Sequence, residues 1–447
     1  MVNVKQKLYF AIHRLRGSKV GSVYARYQRE DRQRQATLET SLQQLRLLLA
    51  HCRQSVPYYA EQMRQFSGHF QDSPATYLTQ FPILSKALLR QNFERLKSTD
   101  LGQRRWYENT SGGSTGEPAR FIQDRCYWDY ETAAQMLSCE WAGQVYGEPA
   151  LYLWGFAGDI AHGQRGLKWA VNRFIAHNDL VNAYRMTPSV MQSVVERLNH
   201  RPPRLIVAYA NVIYELALFV ERGRIPLRPQ VAILTSGSTL HDFMREKVEA
   251  VFGCKIFDRY GSREVGDIAC ECEAHAGLHT FPWNCYVEIA DDAGNLLPPG
   301  VEGNILVTSL VNFAMPLLRY QIGDRGVLSP DEACACGRRG QRLRYVSGRI
   351  NDTFRRADGT LVSGGYFTRL LYYRDWVAKF QIVQKGFQAI TFRLVKTDVP
   401  CRPEELEEIR RQAQAAMGEG CQVDFEFVED IPVGVSGKHR YTICEIA

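Results

Sequence analysis

Residues 205–262 read LIVAYANVIYELALFVERGRIPLRPQVAILTSGSTLHDFMREKVEAVFGCKIFDRYGS. Three short apolar runs, at 205–208, 231–234 and 255–257, have the length and composition of buried strands. Between them lie two stretches of helical periodicity, 211–221 closed by Gly223 and 242–252. Upstream, Thr187 is suited to cap a helix with Pro188 at its first position, and Val190, Met191, Val194, Val195 and Leu198 form one apolar face. This βαβαβ alternation demands parallel strands with helices packed on the faces, an α/β fold. Ligands of such sheets bind outside the carboxyl ends of the strands. Two polar, glycine-bearing segments leave those ends: Thr235-Ser236-Gly237-Ser238 and Asp258-Arg259-Tyr260-Gly261-Ser262.

Working outward, residues 36–52 space Leu38, Leu42, Leu45 and Leu48 as a core-facing helix, with Pro57 as its expected stop. Beyond 280, alternating strands joined by DDAGN and LPPGVEG predict an antiparallel β subdomain over about 280–348. After about 350 the pattern predicts a small α+β unit: a hairpin across Gln384-Lys385-Gly386, a charged helix from Pro403 and a strand over 422–428. The 447 residues allow two or three domains, and 45% hydrophobic with 23% charged residues exclude a disordered or fibrous chain. A net charge of +7 is too dilute to argue for nucleic acid. Residues 338–344 are Arg-rich but lack interleaved aromatics, so a solvated turn is preferred there. The N-terminal MVNVKQKLYFAIHRLRG has only a five-residue apolar run, shorter than a secretory core and far short of a membrane span. The expectation is a cytoplasmic protein with no integral membrane segment, with 12 cysteines mostly reduced. The N-terminal stretch reads as an amphipathic surface helix, with basic anchoring to a membrane as the alternative.

The densest chemical signal is Thr110-Ser111-Gly112-Gly113-Ser114-Thr115-Gly116-Glu117-Pro118. Small hydroxyl and glycine residues let backbone N–H groups approach an anion closely, as a phosphate-gripping loop requires. No Lys-Ser or Lys-Thr pair follows, so it is not a Walker A loop. Gly112 to Gly116 also matches the G-x-S-x-G elbow of serine hydrolases, which would make Ser114 a nucleophile. Pro118 opposes the helix that such an elbow must enter.

With YGSREVG at 260–266, RYQIGD at 319–324, GRIND at 348–352 and PVGVSGK at 432–438, this loop resembles, in order and spacing, the adenylate-forming enzymes. The nearest resemblance is to the phenylacetate-CoA ligase and CapK-like capsular polysaccharide proteins, over about residues 75–447. It implies an acyl-CoA synthetase-like fold, with an N-terminal AMP-binding domain (1–348) and a mobile C-terminal lid (349–447) hinged near Asp352. It further implies a carboxylate joined to AMP with loss of pyrophosphate, then transferred, by default to the thiol of CoA. Ser111, Gly112, Gly113, Ser114, Thr115 and Gly116 would hold the β- and γ-phosphates. The strand-end residues Ser236, Gly237, Ser238, Asp258, Arg259, Gly261 and Ser262 belong to the implied nucleotide set. Tyr260 would stack on adenine, Glu264 would hold Mg²⁺, Asp324 the ribose hydroxyls, Arg349 the same nucleotide, and Lys438 would bridge carboxylate and α-phosphate. Taken singly, Tyr260 fits a core position, Asp324 a turn and Lys438 a solvated loop; independent turns do not reproduce the ordered set. The sequence departs from the family in its extra glycine, Gly112-Gly113, and in Glu117 where lysine is common.

The acid pocket is expected beside Tyr260, lined by Trp154, Phe156, Tyr209, Ile213 and Gly237, which favours an aryl or medium apolar acid. An amine or hydroxyl acceptor, and a non-catalytic nucleotide-binding descendant, are the competing outcomes. Finally, Cys272-x-x-His275 and Cys334-x-Cys336 offer four ligands on two tight turns, as a closed structural Zn²⁺ site requires. Cys270 and His279 are rival ligands, and a group of reduced thiols is the simpler alternative.

Overall fold

The computed structural model describes residues 4–33, 35–111, 119–154, 178–183, 186–330, 333–349, 353–358, 361–371, 374–432 and 439–446. The chain forms two compact units, one of residues 1–322 with 326–346 and one of 323–325 with 347–447. Among the described residues, no helix is long and apolar enough to cross a membrane.

Three helices open the first unit: α1 (Val4–Leu15), α2 (Val20–Arg32) and α3 (Leu38–Ser55). In α3, Leu45 and Leu48 are fully buried while Leu38 stays exposed. Pro57 does not merely stop α3; it takes the first position of the next short helix, Pro57–Gln62, where its missing N–H costs nothing. A separate hairpin, β1 (Trp106–Thr110) and β2 (Arg120–Asp124), then runs into α4 (Arg125–Trp141). Asp124 caps that helix by accepting from the Tyr127 N–H at 2.9 Å.

The main sheet has eleven strands in the order β10-β11-β12-β13-β9-β8-β7-β6-β5-β3-β4. Its parallel part comprises β3 (Ala150–Trp154), β4 (Asn178–Asn182), β5 (Leu205–Tyr209), β6 (Ala232–Ser236) and β7 (Lys255–Ser262). Helices α5 (Pro188–His200), α6 (Ala210–Arg222) and α7 (Asp242–Phe252) connect and cover it. Every residue of β5 and β6 is buried, the continuous apolar pattern that parallel strands show when both faces are covered. Thr187 caps α5 with Pro188 in its first turn, and Gly253, at φ +62°, closes α7.

The antiparallel part comprises β8 (Gly266–Glu271), β9 (Leu278–Thr280), β10 (Cys285–Ala290), β11 (Gly303–Ser309), β12 (Tyr320–Leu328) and β13 (Arg342–Arg349). The strands beyond 280, expected as an antiparallel β subdomain, continue the same sheet. The reason lies in β8, which folds back antiparallel on β7 and pairs in turn with β9, so the parallel sheet has no free edge on that side.

The second unit carries the small hairpin β14 (Thr353–Arg355) and β15 (Leu361–Ser363) and a four-stranded sheet. In that sheet β16 (Val377–Gly386) and β17 (Ala389–Lys396) form a hairpin, flanked in parallel by β19 (Thr442–Cys444) and β18 (Gln422–Phe427). Helix α8 (Pro403–Met417) buries Ile409, Ala413 and Met417 in its core.

Candidate functional site

The parallel strands deliver their carboxyl ends in one row. Tyr209 pairs with Ser236, and Ser236 with Arg259. Trp154, ending β3, stacks on Tyr209 with ring centroids 4.1 Å apart. Past the row, Gly237 takes φ +76°, a left-handed turn that suits glycine. Ser238 Oγ donates to Asn211 Oδ1 at 3.1 Å, tying the turn after β6 to the start of α6. Trp154, Tyr209, Gly237 and Tyr260 thus sit at the same end of the sheet, while Ile213 is wholly buried in the core under α6.

Strand β7 sends alternate residues to different tasks. Thr235 Oγ donates to Asp258 at 3.1 Å, and the Asp258 N–H donates to Glu271 at 2.9 Å. Burial, reinforced by the Glu271 carboxylate, pushes the Asp258 carboxyl up to about 7. Arg259 turns the other way, and its guanidinium is committed to Asp267 at 3.2 Å. Tyr260 is partly buried against the large core. Gly261 is demanded by close approach, since a Cβ there would lie 2.6 Å from the Gly266 carbonyl. Gly266, at φ +79°, leaves the space occupied by the Glu131 carboxylate of α4, which accepts the Asp267 N–H with both oxygens at 2.9 Å. Burial raises the Glu131 carboxyl above the usual carboxylate range.

The turn at 262–266 is where separate motifs meet. Glu264 is buried, accepts from the Tyr320 hydroxyl at 3.1 Å and lies 3.8 Å from the Lys86 ammonium. Gln123 of β2 donates to the Arg263 carbonyl at 2.8 Å, and Arg263 donates to the Thr110 carbonyl at 3.3 Å. The neck of the glycine-rich loop is therefore fastened to the Glu264 turn. Ser111 closes that neck: its N–H donates to the Ala119 carbonyl at 2.9 Å and its Oγ accepts the Ala119 N–H at 2.8 Å. The accepted bond holds the loop's base and leaves the donor role of the hydroxyl, the one expected on phosphate, unchanged. Arg319, which opens RYQIGD, is buried against Glu288 at 3.2 Å and donates to the carbonyls of Phe81 and Gly294, so it ties segments together. Asp324 lies on β12. Gly112, Gly113, Ser114, Thr115, Gly116, Phe156, Asp352 and Lys438 fall outside the described residues, and Arg349 is described by backbone alone.

A second cluster gathers Cys272, His279, Cys334 and Cys336, whose ligand atoms all lie within 4.8 Å of one another. Cys272 Sγ is 3.8 Å from Cys334 Sγ, and Cys336 Sγ is 3.5 Å from His279 Nε2. This corrects His275 as the expected fourth ligand. His275 sits at φ +48°, with Nδ1 3.3 Å from Glu271 and its ring against Phe257. Pairing of β8 with β9 sets His279 opposite Cys270, one strand residue from the Cys272 turn, and β9 also pairs with β13 beyond the Cys334 turn. Cys270 itself stays in the apolar core. Lys86, Gln123 and Glu131 carry no local sequence signature; only the long-range packing of the chain reveals them.

Residues 354–445 match the family model of the CapK C-terminal domain. The chain is 22% identical to protein CapK of Staphylococcus aureus over 397 residues, 87% of this chain and 85% of that protein. It is 26% identical to the phenylacetate-coenzyme A ligase of Aromatoleum evansii over 324 residues, 70% of each. Among solved structures, 2-hydroxyisobutyryl-CoA ligase in the postadenylation state in complex with 2-HIB-AMP superimposes with a TM-score of 0.71, covering 91% of this chain and 89% of that one at 16% identity, a likeness of fold. Motif order, sheet topology and sequence likeness agree: the chain is similar to the adenylate-forming enzymes, and within them to the phenylacetate-CoA ligase and CapK proteins.

Proposed function

We propose that the protein is an ATP-dependent ligase that activates a carboxylic acid as its acyl-adenylate and then transfers the acyl group to the thiol of CoA. The supporting observation is the convergence on the Glu264 turn: the neck of the glycine-rich loop reaches it through Arg263 and Gln123, and RYQIGD through Tyr320. In the first step a carboxylate oxygen attacks the α-phosphorus of ATP and pyrophosphate leaves, so the work is positioning and charge neutralisation. The amides of Gly112 to Gly116 and the hydroxyls of Ser114 and Thr115 hold the β- and γ-phosphates, Tyr260 stacks on adenine, and Asp324 accepts from the ribose. Lys438 links carboxylate and α-phosphate, from a lid spanning 349–447 that pivots near Asp352.

Glu264 would fit Mg²⁺ as a buried carboxylate, whose hard oxygens are the ligands that ion takes. Mg²⁺ held there would neutralise the departing pyrophosphate. Trp154 and Tyr209 offer a flat aromatic wall to the acid, which favours an aryl or medium apolar substrate. Cys272, His279, Cys334 and Cys336 form a three-thiolate, one-imidazole set that suits tetrahedral Zn²⁺ with no vacancy for water, hence a structural ion. ATP and CoA as substrates agree with a cytoplasmic location.

The test is pyrophosphate release with hydroxylamine trapping over a panel of carboxylic acids, with Lys438→Ala as control, followed by CoA-dependent thioester formation. Acid-dependent release lost in the control supports the proposal. Silence across the panel with retained nucleotide binding favours the non-catalytic reading, and labelling of Ser114 by a serine-reactive probe the hydrolase reading. Trapping by an amine or alcohol in preference to CoA would reassign the acceptor.

A further inference from the structure

Helix α1 has two apolar lines, of which the body of the protein uses one. Tyr9 packs on Tyr146 (ring centroids 4.5 Å apart), Phe10 on Tyr24 (5.8 Å), and His13 stacks on Trp128 (5.1 Å). These contacts fix the rotation of the helix about its axis. The other line, Val4, Leu8, Ala11 and Leu15, follows the 4-3-4 spacing of a single helix face and points to solvent. Val4 is 77%, Leu8 44% and Leu15 89% exposed. Lys7, Arg14, Arg16 and Lys19 are exposed along the same segment, and no acidic residue occurs before Glu30. Beyond the helix end, Arg105 donates to the Arg16 carbonyl at 3.2 Å, and the next residue, Trp106, is 45% exposed.

We propose that this face is a peripheral docking surface for an anionic lipid bilayer. An apolar line interleaved with cations and free of acids needs a partner offering hydrocarbon and anionic oxygens in adjoining layers, which a membrane interface supplies. A half-exposed Trp beside the helix end matches the preference of indole for the headgroup level. Because α1 is already folded and held by its aromatic side, docking costs no helix-forming entropy. The surface is independent of the proposed ligase chemistry.

Flotation of the full chain with vesicles tests it. Binding to phosphatidylcholine containing about one third phosphatidylglycerol should exceed binding to phosphatidylcholine alone by about tenfold, and should weaken in high salt. L8E/L15E and K7E/R14E should each lower the bound fraction about fivefold or more. Their thermal unfolding and pyrophosphate release should match the parent, which separates lost docking from lost folding. Equal partitioning onto both vesicle types overturns the proposal. So does undiminished binding by L8E/L15E, which would mark a purely electrostatic surface, or retention on heparin with no vesicle binding, which would assign the face to a soluble polyanion.

Discussion

The parallel and antiparallel parts of the main sheet build their sites by different means. In β3 to β7 the strands run one way, so the residues just after each apolar run arrive at one edge together; Tyr209, Ser236 and Arg259 form a row where the parallel pairing of β5, β6 and β7 ends. Where β9 pairs with β8 and β13 the neighbours run in opposite directions, and what meets depends on register: His279 reaches Cys272, Cys334 and Cys336 through β9, while His275, closer in sequence to Cys272, turns to Glu271. A parallel site can be read by finding strand ends. An antiparallel one needs the pairing first.

The sharpest blow to this contrast falls on the turn where the two parts join. Glu264→Gln should lower pyrophosphate release about a hundredfold while the folded content by circular dichroism is preserved; a variant with full activity would remove Glu264 from the reaction. Next in size is the thiol cluster. The purified chain should carry about one zinc per molecule, and chelation or Cys334→Ser should lower the unfolding midpoint by about 10 °C. Metal analysis finding no zinc in protein prepared without chelator would leave three reduced thiols, an imidazole and no clip between β9 and the Cys334 turn.

Asp258 gives a smaller effect with a definite sign. Its carboxyl is raised in the folded chain to about 7, above the ordinary aspartate value of 3.8. The folded state therefore binds that proton more tightly than the unfolded state. The resulting stability is complete below about pH 4 and is lost as pH rises towards 7. Asp258→Asn, which imitates the protonated form, should raise the unfolding midpoint by about 3 °C at pH 8 and leave it nearly unchanged at pH 4. An equal shift at both values would show that the charge is not the cause. Smallest is Thr187→Ala, which removes the hydroxyl accepting the Val190 N–H and should cost about 1 kcal/mol in denaturant unfolding with m unchanged.

Much of the parallel part was legible because its rules are local. Thr187 and Pro188 start α5, Gly223 ends α6, and the apolar runs of β5 to β7 stand where composition put them. Helix α8 begins at Pro403 for the same reason. The β16–β17 turn lies a little beyond Gln384-Lys385-Gly386, because Gly386 is absorbed into β16 at a register shift. The family motifs pointed to Glu264 and Tyr260, but their supports were hidden. Lys86, Gln123 and Glu131 are unremarkable residues in sequence, and each acts across a long loop of chain. Ser111 shows the converse: a motif residue that closes the neck of its own loop, its Oγ accepting the Ala119 N–H.

Glu131 and Gly266 are each ordinary alone, but a Cβ on Gly266 would fall 2.1 Å from the Glu131 carboxylate, and that carboxylate carries the next amide of β8. The pair behaves as a lock cut in two places 135 positions apart. Anyone recombining this protein with a relative must therefore inherit helix α4 and the start of β8 from the same parent, since a crossover between them can join a side chain at 266 to an acid that has nowhere to go.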